Sequence, residues 1–254
     1  MSIDINCDVG EGYGIYNFGQ DDKIIGLVTS ANIACGFHAG DYNQMFKTIN
    51  ICLENNAAIG AHPGYPDLMG FGRRNIDYSG LEITNMITYQ VGALMAIAGS
   101  LGTRVEYIKP HGALYNLAAI DTDVAGAVID ASVGLGNMPL VGPPDSVISR
   151  LAGERGIVFI REGFADRNYN DDGTLVSRDD SNAVINDPAV AAQRVLIMVK
   201  EKTVISVRGR KTPLCVDTVC VHGDNQNAPE IIRGIRKVLK ENGIKLMTIS
   251  QMNR

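Results

Sequence analysis

Residues 57–64 read Ala57-Ala58-Ile59-Gly60-Ala61-His62-Pro63-Gly64, a short apolar run that reaches a histidine and then breaks at proline and glycine. Such a run has the composition of a buried strand, and the break sets His62 just past its C-terminal end. The other three histidines of the chain are placed alike, in His38-Ala39-Gly40, His111-Gly112 and His222-Gly223. If the strands run parallel, those ends share one face and their side chains converge, which points to an enzyme active site.

Working outward, apolar residues alternate over residues 3–9, a first strand that ends at Asp8 and a glycine-rich turn. A second extended run, 30–35, leads to His38, and Asp41 has the position of an N-cap for a helix whose core face carries Met45, Ile49 and Leu53. Beyond the His62 loop, Ser79-Gly80-Leu81-Glu82 is a capping box that opens a long apolar helix to about Leu101. Strands are expected at 105–109, 138–142, 157–160 and 216–221, with helices near 124–133, from about Pro144, at 188–200 and at 227–241. Residues 166–182, polar and rich in Asp and Asn, predict a loop or hairpin over the site. Residues 203–207 read as a short strand or as part of the approach to the 216–221 strand, and 245–249 as a final strand.

No linker or repeat divides the chain, so a single domain over residues 1–254 is expected. Six or more parallel strands with helices between them allow a closed barrel or an open sheet. Reactive residues after nearly every strand favour the barrel, of α/β class and irregular, since the strand count does not settle at eight.

Composition narrows the function. With 45% hydrophobic residues the chain can bury a large core, and a net charge of -5 without long runs of one sign argues against nucleic acid as a partner. The longest apolar stretch, residues 91–98, is too short to span a bilayer, so no membrane association and a cytoplasmic location are expected. The five cysteines form no CxxC pair, which speaks against disulfides and a structural zinc. A homo-oligomer is left open.

Asp8 and Glu11 form an acidic pair after the first strand, suited to splitting their pKa values into a base and an acid; the bland alternative is a turn cap and a solvated carboxylate. The turn lacks the GxGxxG spacing, and no GxxxxGK[ST] occurs, so a P-loop does not hold any ATP used. Asp41 could orient His38 or only cap its helix. Arg73, beside Arg74, could bind a carboxylate or phosphate through its guanidinium fork or merely stabilise a loop. Lys109 next to His111 puts an ammonium at a strand end, where burial demands a charged partner. Glu162, Asp166 and Arg167 follow the 157–160 strand, and Asp224 follows His222. Asp and His together could also hold a divalent metal with an open position, although no HExxH supports it.

Seven segments are more specific. Residues 4–11 (DINCDVGE), 31–41 (ANIACGFHAGD, with Asn32), 60–64 (GAHPG), 70–74 (GFGRR), 109–116 (KPHGALYN), 164–167 (FADR) and 220–224 (CVHGD) resemble the LamB/YcsF family nearly end to end, with Ile5 and Val9 replacing leucines common there. The resemblance implies an irregular TIM-like β/α barrel similar to the glycoside hydrolase/deacetylase superfamily. It implies an ATP-hydrolysing 5-oxoprolinase component that opens 5-oxoproline to L-glutamate and works with partner subunits B and C. On that reading Asp8 or Glu11 acts with His38 and His62 as the acid–base set, while His111 and His222 position substrate or shuttle protons. Asn32, Asp41, Arg73, Lys109, Glu162, Asp166, Arg167 and Asp224 are then expected to bind substrate, with Lys109, Arg73 or Arg167 holding its carboxylate or an added phosphate. Two other readings stand beside it: a self-sufficient, metal-dependent amide or carbohydrate deacetylase using Asp8, His38 and His62, and a noncatalytic subunit that captures 5-oxoproline.

Overall fold

The computed structural model describes residues 1–16 and 20–252. The first strand, β1 (Ser2–Val9), shows how the sequence builds the fold. Its apolar half, Ile3, Ile5, Cys7 and Val9, packs in the main hydrophobic cluster, while Asn6 of its polar half bonds across to Thr218 and Glu162. A strand with one set of side chains among covering helices and the alternate set turned inward belongs to a barrel.

The remaining strands are β2 (Ser30–Ala34), β3 (Ala58–His62), β4 (Tyr107–Ile108), β5 (Leu140–Gly142), β6 (Phe159–Phe164), β7 (Thr203–Ile205), β8 (Lys211–Pro213), β9 (Thr218–His222) and β10 (Lys245–Leu246). Parallel pairing runs β1-β2-β3-β4-β5-β6-β9, and β9 returns to β1, closing a ring of seven strands. Register carries the site: Asp8 lies opposite Asn32 on one side and His222 on the other, and Ala34 lies opposite His62. β10 pairs with the start of β1 outside the ring, and β7 and β8 form an antiparallel hairpin of their own.

The helices are α1 (Asp21–Ile24), α2 (Tyr42–Asn55), α3 (Gly80–Ser100), α4 (Gly112–Ile120), α5 (Thr122–Gly134), α6 (Val147–Glu154), α7 (Pro188–Glu201), α8 (Ala228–Glu241) and α9 (Ile249–Met252). Asp41 caps α2 by accepting from the Asn43 and Gln44 amides, and Ser79 with Glu82 completes the capping box of α3. The base of the barrel is plugged by a small cluster that includes Ala58, Tyr107, Val141 and Ile160. The Tyr107 ring occupies the space beside Gly60, where a Cβ would come within 2.2 Å of it. None of the helices among the described residues is long and apolar enough to cross a membrane.

Several expectations need correction. Leu53 is 41% exposed rather than in the core, because α2 turns that position past its buried stripe of Met45, Thr48, Ile49 and Cys52. The strand expected over 105–109 keeps only two laddered residues, whereas β6 runs on to Phe164 and so carries Glu162 inside the ring. The strand expected at 203–207 belongs to the outer hairpin, and the one at 245–249 stops at Leu246. Helix α4 was not expected: it is short and apolar nearly all round, so it shows no amphipathic stripe.

Candidate active site

Polar side chains run up the inside of the barrel from just above the base cluster to the mouth. Asp4 accepts hydrogen bonds from the hydroxyls of Thr29, Ser30 and Thr218, and burial pushes its carboxyl up to about 6 against those bonds. One layer higher, the Asn6 amide donates to Glu162 Oε1 at 2.9 Å and to Thr218 Oγ1 at 2.7 Å. Asn32 donates to Asn6 Oδ1 at 2.7 Å and to Asp8 Oδ1 at 2.8 Å, and its own carbonyl accepts from Tyr107 at 2.7 Å.

Lys109 ends this network. Its ammonium lies 2.8 Å from Asp8 Oδ1, 2.9 Å from Glu162 Oε1 and 3.3 Å from Cys220 Sγ. Burial would lower its pKa, but Asp8, Cys220 and Glu162 raise it well above the ordinary lysine value, so it is a fixed cation. Burial would likewise raise Asp8, yet the His62 imidazole and the Lys109 ammonium outweigh it and hold the carboxyl well below its usual range. Asp8 is therefore a carboxylate at neutral pH.

Three imidazoles stand above this floor. His62 Nδ1 meets the Lys109 carbonyl at 2.7 Å, and His111 Nε2 meets the Phe71 carbonyl at 2.8 Å. Carbonyl oxygens only accept, so both nitrogens carry hydrogen and the tautomers are fixed. The remaining atoms, His62 Nε2 and His111 Nδ1, face each other at 2.9 Å, and His62 Nε2 is also 3.4 Å from Asp8 Oδ2. His38 lies flat on His111, with ring centroids 3.7 Å apart and planes 2° from parallel. Burial, reinforced by the neighbouring imidazoles, lowers His38 and His111 well below the usual histidine range. Glu11 Oε1 is 3.7 Å from His38 Nε2 and 3.9 Å from His111 Nδ1. Burial, then Asp8 and Asp224, raise Glu11 well above the usual carboxyl range. Glu11 Oε1 and both His38 nitrogens are buried without a hydrogen-bond partner.

Glu11, His38, His62 and His111 each bring a metal-ligating atom within 4.8 Å of the others'. Asp8, Cys220 and His222 form a second such group, but Lys109 already occupies the space between Asp8 and Cys220.

On the other side of the mouth, His222 Nδ1 meets Asp166 Oδ1 at 2.9 Å, and its ring stacks on Phe164. Two cavities open here. One of about 190 Å³ is lined by Asp8, Glu11, Phe71 and Arg73; the other, of about 570 Å³, is lined by Asp166, Arg167, Arg178 and His222. Asp224 borders both and is paired with Arg73 at 2.8 Å, and His222 and the arginines lower its pKa against the effect of burial.

The structure thus brings Asp8, Glu11, Asn32, His38, His62, Lys109, His111 and Glu162 to one mouth, with Arg73, Asp166, His222 and Asp224 around its rim. Two candidates are differently employed. Asp41 spends its carboxylate on the α2 cap and the Gly14 amide. Arg167 borders the large cavity but donates to the Val176 and Ala183 carbonyls, and burial, with Arg178 nearby, lowers it to about 10. Sequence reasoning passed over Asn6, Tyr107 and Cys220. The alternation of Asp4, Asn6 and Asp8 in one strand was the signal for Asn6; a tyrosine inside an apolar run and a buried cysteine carry none.

Comparison with known proteins agrees with this geometry. The model of the LamB/YcsF family matches residues 3–254. The A component of the 5-oxoprolinase of Staphylococcus aureus (strain bovine RF122 / ET3-1) is 46% identical over 250 residues, 98% of this chain and 100% of that one. The crystal structure of the lactam utilization protein from Thermus thermophilus superposes with a TM-score of 0.93 at 38% identity, over 98% of this chain and 100% of that one. The peptidoglycan deacetylase PdaC from Bacillus subtilis (mutant D285S) shares the fold alone, at a TM-score of 0.51 and 12% identity over 99% of this chain and 89% of that one. Matched over nearly its whole length, this chain belongs to the LamB/YcsF family.

Proposed function

We propose that this chain is the A component of a multi-subunit hydrolase that opens 5-oxoproline to L-glutamate while ATP becomes ADP and phosphate, acting in the cytoplasm with partner subunits B and C. The observation that carries this reading is the mouth itself, an ionised Asp8 and a fixed Lys109 under imidazoles, in a chain 46% identical end to end to a 5-oxoprolinase A component.

A five-membered lactam is protected by amide resonance, and its open form recloses readily, so ring opening at neutral pH needs an external driving force. Transfer of the ATP γ-phosphoryl group to the lactam oxygen supplies it and leaves an imidate-like carbon open to water. Asp8, ionised beside His62, is suited to take a proton from that water, and His222 across the mouth is suited to return one to the ring nitrogen as the C–N bond breaks; the γ-glutamyl phosphate so formed is cleaved by a second water to L-glutamate and phosphate. The 190 Å³ cavity suits the compact ring, with Arg73 at its edge for the carboxylate. The larger cavity, with Arg167 and Arg178, suits the phosphoryl group.

The test is 5-oxoproline-dependent ATP hydrolysis and glutamate release, measured on this chain alone and with its two partners. Turnover only in the complete mixture supports the proposal. Absence of glutamate in every combination overturns it, and glutamate without ATP favours a stand-alone amidase.

A further inference from the structure

We propose that His62 Nε2, His111 Nδ1 and Glu11 Oε1 form a binding site for one divalent transition-metal ion at the barrel mouth. His62 Nδ1 and His111 Nε2 are committed to the carbonyls of Lys109 and Phe71, so in the neutral rings two lone pairs confront each other at 2.9 Å. Two acceptors at that distance need a positive centre near both, either a proton held between the rings or a bound cation. A backbone carbonyl behind each imidazole is also the arrangement that fixes the tautomer of a metal-binding histidine and aims its free nitrogen. Glu11 gives the independent sign: its Oε1 is buried, has no hydrogen-bond partner, and lies 3.9 Å from His111 Nδ1.

Ring planes set the limits of the ligand set. A ligating imidazole keeps its ion close to its own plane, and the planes of His38 and His111 are parallel, one stacked on the other. One ion cannot lie in both. His38 is therefore a packing neighbour rather than a ligand in this arrangement. Two imidazoles and one carboxylate suit zinc, iron(II), cobalt(II) or manganese(II), whereas magnesium and calcium call for oxygen donors throughout. Glu11 also lines the 190 Å³ cavity, so the open side of the ion faces the space where a small oxygen-bearing ligand enters.

The experiment uses the full chain alone, stripped with a chelator and then titrated separately with zinc and cobalt(II) by calorimetry, elemental analysis and, for cobalt, visible absorption. No lactam or ATP is present, so its result is independent of the catalytic reading. One ion per chain is expected, with a cobalt spectrum of mixed nitrogen and oxygen ligation. Glu11→Gln, His62→Gln and His111→Gln should each weaken uptake by about 10²-fold or more, the upper end of what loss of a ligand's supporting hydrogen bond costs. His38→Gln and His222→Gln should retain stoichiometric uptake. Metal-free melting curves show which variants are folded, and Glu11→Gln, the smallest change, decides the matter if a histidine variant is not. No stoichiometric uptake by the wild-type chain, or uptake that survives Glu11→Gln, overturns the site. Equal loss in His38→Gln overturns this ligand set.

Discussion

The Lys109 ammonium stands 2.8 Å from the Asp8 carboxylate, with both groups buried inside the barrel and Glu162 2.9 Å away on the other side. One cation thus holds two carboxylates below the imidazoles. Removing it leaves both charges in a low-dielectric interior, a change that costs about 3–5 kcal/mol for a broken buried pair. Lys109→Met is expected to lose that much in urea unfolding. Because part of the loss is the stranded Glu162 charge, Lys109→Met/Glu162→Gln should recover stability relative to the single variant. A double variant whose loss is simply the sum of the two single losses would show that the Lys109–Glu162 charge pair does not carry the effect.

Asp4 gives a pH dependence of known sign. Its folded carboxyl keeps its proton up to about 6, whereas the ordinary value is 3.8, so the folded state binds the proton more tightly. The group therefore costs nothing below about 4, costs progressively more as pH rises towards 6, and costs about 3 kcal/mol above that. Urea unfolding of wild type and Asp4→Asn across pH 4–8 should show the gap between them shifting by up to that amount, in favour of wild type at the acid end. A constant gap would mean that the three hydroxyl donors hold Asp4 ionised after all.

The barrel and its mouth were legible because they repeat: six of the seven ring strands lead into a reactive residue and a glycine, β5 alone lacking the residue, and those ends meet in one ring. Geometry across strands was not legible. The closeness of Glu162 to Lys109 depends on β6 running further than its apolar stretch, through polar residues that a periodicity reading ends at Ile160. The flat stack of His38 on His111 depends on side-chain rotation, which spacing does not encode. Asp41 shows the opposite failure. A carboxylate three residues after a site histidine fits both catalysis and capping, and only its hydrogen bonds distinguish them.

Gly72 holds the imidazole stack in place from outside. It adopts φ +65°, and a Cβ there would come within 2.7 Å of His38 Cβ and 3.0 Å of His111 Cδ2. Alanine adds left-handed strain of about 1–2 kcal/mol and presses on both rings. Gly72→Ala should therefore lower turnover of the assembled enzyme about tenfold or more while the protein still folds, since small misplacements of reacting groups are costly. Unfolding in urea and kcat measured together would separate the two effects, and a stable variant of undiminished kcat would show that the stack is unimportant to catalysis.

Asp166 fixes the direction of His222. Its Oδ1 lies 2.9 Å from His222 Nδ1 and its Oδ2 accepts from the His222 backbone amide, so Nδ1 bears hydrogen and Nε2 is the atom left for the 570 Å³ cavity. Asparagine has the same shape but can turn an NH2 towards Nδ1, which moves the hydrogen to Nε2 and reverses what the imidazole offers. If His222 takes or relays a proton during ring opening, Asp166→Asn should reduce kcat by about 10²-fold or more with little change in KM for 5-oxoproline. His222→Gln should then bring no large further loss when combined with it, because the two side chains act as one unit. A rise in KM at constant kcat would instead assign the pair to substrate binding, with His222 Nε2 accepting a hydrogen bond from the bound lactam N–H.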